Sequence, residues 1–251
     1  MRTALWAEVL KTRRALVPRI VVAALVLGPL TLAAGLLAGK DDPAIAAQLA
    51  PFATGDPWRD LSTLVAIVTA AGGLLGFGIL LAWFFGREFI DRTIGGLFAA
   101  PVGPRAVATA KLLVFAAIIA TVAILLGVGV LGTGFALGLP TPHPADLGHV
   151  GRVVAVTALT GLGAIPCAWA ATLSRGLLAP IGTAVALLVS AQIAMLSEIG
   201  AWYPFAAPGA WAGSAGVPDE LNVSPIQLTL VVATAALFAA LTLRSWGRLR
   251  L

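Results

Sequence analysis

The chain has 251 residues, of which 59% are hydrophobic and 11% charged. A soluble domain carries roughly a quarter of its residues charged, so a water-covered globule and a disordered chain are both excluded, and a single cysteine excludes a disulfide scaffold or a cysteine-based metal site. The formal net charge of +5 is scattered rather than gathered into one patch, which argues against nucleic acid as a partner. In chain order, residues 1–19 are basic and helical in pattern, with Leu5, Trp6, Val9 and Leu10 on one face and Glu8, Lys11, Thr12 and Arg14 largely on the other. This pattern predicts an amphipathic helix in the headgroup plane, anchored by Trp6. The basic stretch extends to Arg19 and the following apolar run is longer than the 7–15 residues of a secretory signal core, so a retained helix is expected.

Six uncharged runs follow, each near the ~20 apolar residues that cross a bilayer: 20–39, 61–86, 112–139, 153–174, 176–197 and 225–243. Lipid offers backbone groups no partner and the runs lack the alternation of barrel strands, so an all-α membrane protein of six transmembrane helices is expected. Pro29, Pro166 and Pro180 should bend or break their helices. Ser224 and Pro225 read as the cap and first position of the last one.

Orientation follows from the bias of basic residues toward the cytoplasm. With the N-terminus inside, Arg2, Lys11, Arg13, Arg14, Arg19, Arg87, Arg92, Arg105, Lys111, Arg175, Arg244, Arg248 and Arg250 are cytoplasmic, and only Lys40, Arg59 and Arg152 are external. The acids Asp41, Asp42, Asp56, Asp60, Asp146, Glu198, Asp219 and Glu220 fall outside. Both termini are therefore expected in the cytoplasm.

None of the six runs contains Asp, Glu, Lys, Arg or His. Ion-coupled carriers bury ionisable groups where the ion binds; here the interior polar groups are mainly hydroxyls and one amide, including Thr31, Thr69, Thr121, Thr160, Ser190 and Gln192. Energy for uphill movement must then enter from outside the spans. The chain has no G-x-x-x-x-G-K-[ST] loop, and Gly127, Gly129 and Gly132 spell a dinucleotide fingerprint only inside a span, away from any βαβ unit. Small-residue pairs (Gly35 with Gly39, Gly72 with Gly76, Gly134 with Gly138) favour close helix packing. His143 and His149 are expected in a short external loop beside Asp146, where they are solvated rather than metal-binding. No catalytic constellation and no metal or cofactor site is expected in this chain.

The connection 87–111 is the informative one. Phe89, Ile90, Thr93, Ile94 and Leu97 recur at helical spacing with Arg87, Glu88, Asp91 and Arg92 interleaved. Pro101 ends that helix, Gly103 and Pro104 turn the chain, and Arg105 to Lys111 return it to the membrane. A short amphipathic helix over 87–99 is expected on the inner surface, either resting on headgroups or offering Glu88 and Asp91 to a soluble partner.

That run, from Glu88, Asp91, Thr93, Ile94 and Leu97 through Pro101, Val102 and Arg105 to Lys111, resembles the first cytoplasmic loop of ABC-2 type transporter permeases. The N-terminal stretch from Trp6 to Arg14 is similar to that family's basic amphipathic helix, and Tyr203 to Gly213 resembles the external stretch between spans five and six of bacitracin- and lantibiotic-type permeases. The resemblance implies a bacterial cytoplasmic-membrane permease subunit that pairs with a second six-span subunit, the same or homologous. It also implies a separate ATPase that binds ATP and Mg and docks on a coupling helix at 87–99. Gly95 and Gly96 would cost that helix roughly 1 kcal/mol each relative to Ala, so it is expected to be short or ordered on docking. In the external segment 198–224, Trp202, Tyr203 and Trp211 suit the outer interface, and re-entrant half-helices are implied as an alternative to a plain interfacial loop. The expected activity is ATP-driven export of an amphiphile: a peptide antibiotic, hydrophobic drug or lipid. A secondary carrier or channel, and a membrane anchor or sensor that moves nothing, remain the rivals.

Overall fold

The computed structural model of the protein describes residues 2–91, 103–213 and 223–249, with the side chains of 198 and 199 excepted. Among these residues every regular element is helical: α1 (Arg2–Arg14), α2 (Leu16–Ala38), α3 (Pro43–Leu49), α4 (Pro57–Ile90), α5 (Pro104–Ala136), α6 (Pro144–Gly163), α7 (Pro166–Ser174), α8 (Leu178–Ala194), α9 (Ala207–Ala212) and α10 (Pro225–Gly247), with 3₁₀ turns at Ala50–Phe52 and Glu198–Trp202. Five helices are long and apolar enough to cross a membrane: α2, α4, α5, α6 with α7 taken as one, and α10. The fifth of the six expected runs is α8, which is shorter at 17 residues.

Local sequence explains the boundaries. Asp56 caps α4, its Oδ1 accepting from Trp58 N at 3.0 Å, with Pro57 at the first helical position. Asp42 does the same for α3 through Ala44 N at 2.8 Å. The backbone amide of Ser224 donates to Gln227 Oε1 at 2.7 Å at the start of α10. The three prolines behave differently from one another. Pro166 marks a break between α6 and α7, and Pro180 sits in the first turn of α8, where its missing N–H has no intrahelical partner to lose. Pro29 lies inside an unbroken α2. The expected histidine loop is also corrected. Pro144 starts a helix there, so His143 is its cap residue, donating from its amide to Asp146 Oδ2 at 2.7 Å, and His149 stands on α6.

α4 is the hub, packing on α2, α5, α6, α7, α8 and α9. Lipid gives no hydrophobic drive between helices, so close backbone approach must supply the packing energy. Two glycines show how. A Cβ at Gly78 would run into Ala184 of α8, and one at Gly134 would run into the ring of Trp58. Trp58 is buried, stacks edge-on with Phe135 at 5.8 Å and donates Nε1–H to the Pro140 carbonyl at 2.9 Å, which closes the top of α4 on the end of α5. Gly127 and Gly129 lie within α5 and face Val154 and Leu30. The outward faces are apolar, with Leu27, Leu32, Ile124, Val128, Val189, Ile193, Val232 and Leu237 exposed, as lipid contact requires. Thr31, Thr121, Thr157 and Thr172 satisfy their hydroxyls on carbonyls one turn back.

The bundle has two chemically distinct ends. Asp41, Asp42, Asp56, Asp60 and Asp146 lie at one end with Trp58 and the α3 turn; the other carries α1, the end of α4, the start of α5, the α7–α8 turn and the end of α10, with most of the basic residues.

Candidate functional site

α4 and α5, which meet at the basic end, are longer than a hydrocarbon core. Their 34 and 33 residues make rods of about 50 Å at 1.5 Å per residue, against a hydrocarbon core of about 30 Å. The end of α4 and the start of α5 form a stalk, with α1 packed beside α5.

Four charged side chains bind that stalk together. Lys11 Nζ of α1 donates to Glu8 Oε1 at 3.0 Å and to Glu88 Oε1 of α4 at 2.9 Å. Lys111 Nζ of α5 donates to Glu8 Oε2 and to Glu88 Oε1, both at 2.9 Å. Each ammonium thus bridges both carboxylates, so that two charges of each sign meet in a ring. Glu8, Glu88 and Lys111 are only 3%, 5% and 2% exposed, while Lys11 is half-open to solvent. Burial alone would lower the Lys11 pKa. The Glu88 hydrogen bond and the charges of Glu8 and Glu88 outweigh it and hold the ammonium above its ordinary 10.5. A ring of this kind is a mount rather than a reactive centre: both charges of each sign are satisfied, and removing any one strands its partners in a buried place.

The expected residues divide around it. Arg87 and Glu88 do not open a separate helix; they are in the last turn of α4, because nothing after Gly86 breaks the helix before Asp91 and the Arg87 Nε–Asp91 Oδ2 pair at 2.8 Å straps that turn. Glu88, expected to face a partner, is turned inward to the two lysines. Asp91 stays on the surface as the C-cap of α4, and Arg87 also lies over the Trp83 ring at 5.2 Å. Arg92, Thr93, Ile94, Leu97 and Pro101, and with them most of the expected coupling helix, lie outside the described residues. Arg105 and Lys111 return as the first two turns of α5, which starts at Pro104 with Gly103 as its cap. Trp6 is 68% exposed on the face of α1 away from the bundle, with Val9 beside it, while the Glu8–Lys11 face packs against the stalk. Of its polar face, Glu8 is thus covered by protein, while Lys11 and Arg14 stay open to solvent.

At the acidic end Trp202 is exposed. Tyr203 shares a hydrogen bond with Ser190 of α8 at 2.9 Å and stacks on Phe205 at 5.3 Å, and Trp211 of α9 receives the Arg152 guanidinium at 5.9 Å from its ring. Ala206, Ala207, Ala210 and Ala212 are buried, so this stretch folds into the bundle against α4 and α6.

Sequence reasoning did not single out Glu8 as a site residue, nor Lys111 as anything beyond a loop return. The available signal was Lys111 itself, seven residues into a helix with no acid within a turn on either side. Among the described residues no group of three or more His, Cys, Asp or Glu side chains could hold a metal ion.

An all-helical chain with several membrane-length helices and a charged stalk at one end is a multi-pass membrane protein. A family model for ABC-2 family transporter proteins matches residues 4–191, so the chain belongs to the ABC-2 transporter family, as a permease. Members of that family generally work with ATPase partners. No curated protein and no solved structure matched the chain.

Proposed function

We propose that the chain is the transmembrane subunit of an ATP-driven exporter of the bacitracin and lantibiotic type, built from two six-span permease subunits and separate ATPase subunits that bind ATP and Mg. The observation that carries this reading is the stalk. α4 and α5 are about 20 Å longer than the hydrocarbon core, and the buried ring fixes their ends at Ile90 and Pro104 to α1. A push on the connection is then delivered to α4, the helix that touches most of the others, rather than absorbed by a loop. The spans lack an ionisable group that could couple to an ion gradient, which supports an external motor.

In this reading α8 is the fifth span in chain order and completes the set of six. Its 17 residues cover about 25 Å, and the flanking turns complete the crossing, with Leu178 at 88% exposed at its start. Both termini and the stalk face the cytoplasm, and the folded-in stretch 203–213 is a re-entrant cap over the exit path. The apolar interior suits an amphiphilic cargo.

The test is co-expression with a P-loop ATPase, sought first in the reading frames beside this gene. Reversal of the surface charge in Asp91→Lys should weaken co-purification several-fold while the permease still elutes as folded protein. Inside-out vesicles holding the complex should accumulate an amphiphilic peptide only with ATP. Transport by the permease alone, or persisting after ATP is exhausted, would establish a secondary carrier; stable assembly without movement of any amphiphile would establish an anchor.

A further inference from the structure

α7 and α8 form a hairpin that does not close along its length. Between them and α10 lies an open cavity of about 580 Å³, lined by Trp169, Leu173, Thr183, Leu187, Phe238 and, reaching in from the external stretch, Phe205. Its volume is that of a small-molecule site, ~300–1,000 Å³, and its lining carries no charged side chain. Thr183 keeps its hydroxyl occupied on the Ala179 carbonyl at 2.9 Å, and Trp169 and Phe238 hold each other edge-on at 5.6 Å, so the walls present hydrocarbon and ring faces.

One end of the slot is different. Ser174 and Ala179 line it where the hairpin turns, and the residue between α7 and that turn is Arg175. Arg175 is exposed, and among the described residues its guanidinium makes no hydrogen bond or ion pair. It is also the one non-glycine at positive φ among them (φ 52°, ψ 37°). Helices commonly end in this left-handed position with glycine, which occupies it without strain. Here Gly176 comes one residue later. An uncharged slot whose Ser174 end adjoins, in the chain, an unpaired and strained arginine has the complementarity of a single amphiphile: acyl chain in the slot, anionic headgroup at the arginine.

We propose that this slot is a binding site for an anionic phospholipid of the leaflet at the basic end, its acyl chain lying between α7, α8 and α10 and its phosphate at Arg175. The site requires only that the helices lie in a bilayer. It rests on neither the exporter reading nor the ATPase, and the test below uses neither, so the two readings fail separately.

The full chain in nanodiscs is titrated with phosphatidylglycerol or phosphatidylcholine brominated on one acyl chain, and the Trp169 signal is taken as the difference between the protein and Trp169→Phe. Brominated phosphatidylglycerol should quench Trp169 at about fivefold lower mole fraction than phosphatidylcholine, the enrichment expected of one arginine near an anionic surface. Arg175→Asn, a neutral residue that tolerates the left-handed backbone, should abolish that preference, and Arg175→Lys should keep it. Thr183→Phe, which fills the slot, should reduce quenching by both lipids. Equal, linear quenching by the two lipids in the unaltered protein would reduce the slot to ordinary lipid exposure and overturn the proposal. So would ready crosslinking of Leu173→Cys between two copies, which would place a second chain over the slot.

Discussion

Lys111 is the residue on which the basic end turns. It is 2% exposed and bridges acids from α1 and α4, so Lys111→Met leaves two buried carboxylates sharing Lys11. Breaking a buried ion pair from one side costs about 3–5 kcal/mol, which should appear as a large drop in melting temperature in detergent, with Lys111→Arg close to the parent. Adding Glu8→Gln to Lys111→Met restores a one-to-one pairing of Lys11 with Glu88 and should recover part of the loss; strict additivity of the two changes would refute the ring as a coupled unit. Lys11 gives the pH arm. Its folded pKa is raised, so its contribution is complete below its unfolded value and is lost as pH rises through the folded one. The stability gap between the protein and Lys11→Met should therefore be flat below about pH 10 and shrink above it.

At the scale of elements, the decisive feature is how closely backbones approach α4 and α5. Gly134 is where α5 makes room for Trp58, a contact sealed by the Trp58–Pro140 hydrogen bond. Gly134→Leu should displace that ring and destabilise the protein by about 1–3 kcal/mol, the usual cost of overpacking, measured as a lower melting temperature and greater Trp58 accessibility. The small-residue pairs noted in the sequence mark the right class of residue but only some of the contacts. Gly76 and Gly134 meet Leu25 and Trp58, whereas Gly35 and Gly72 have nothing within 4 Å. Spacing on one helix cannot say which face a neighbour covers.

For the whole molecule, the two chemically distinct ends make a topology prediction. Cys167 is the sole cysteine and is buried, so single cysteines in a Cys167→Ala background report sidedness cleanly. In intact cells Asp41→Cys should react with a membrane-impermeant maleimide, and Arg105→Cys and Arg175→Cys only after permeabilisation. Labelling of Arg105→Cys in intact cells would invert the molecule and remove the docking surface from the cytoplasm. A break in this pattern confined to Arg175→Cys would mean that α6 and α7 do not carry the chain back across the membrane, without disturbing the stalk.

Composition and run length alone determined that this chain lives in a membrane as helices, because in lipid a long uncharged segment has no other way to satisfy its backbone. The distribution of lysine and arginine determined the orientation to be tested, and the residues from Glu88 to Lys111, with the stretch after Trp6, were enough to point to the ABC-2 family. Tertiary structure decided what those charges do. Glu8, Glu88 and Lys111 are 103 and 23 residues apart along the chain, each facing an otherwise ordinary helical surface. Only the meeting of α1, α4 and α5 turns three separate charges, with Lys11, into one ring. The same holds for Arg175 and the slot beside it: a one-dimensional pattern fixes which side of a helix is apolar, but a cavity and its mouth are properties of several helices that local sequence does not encode.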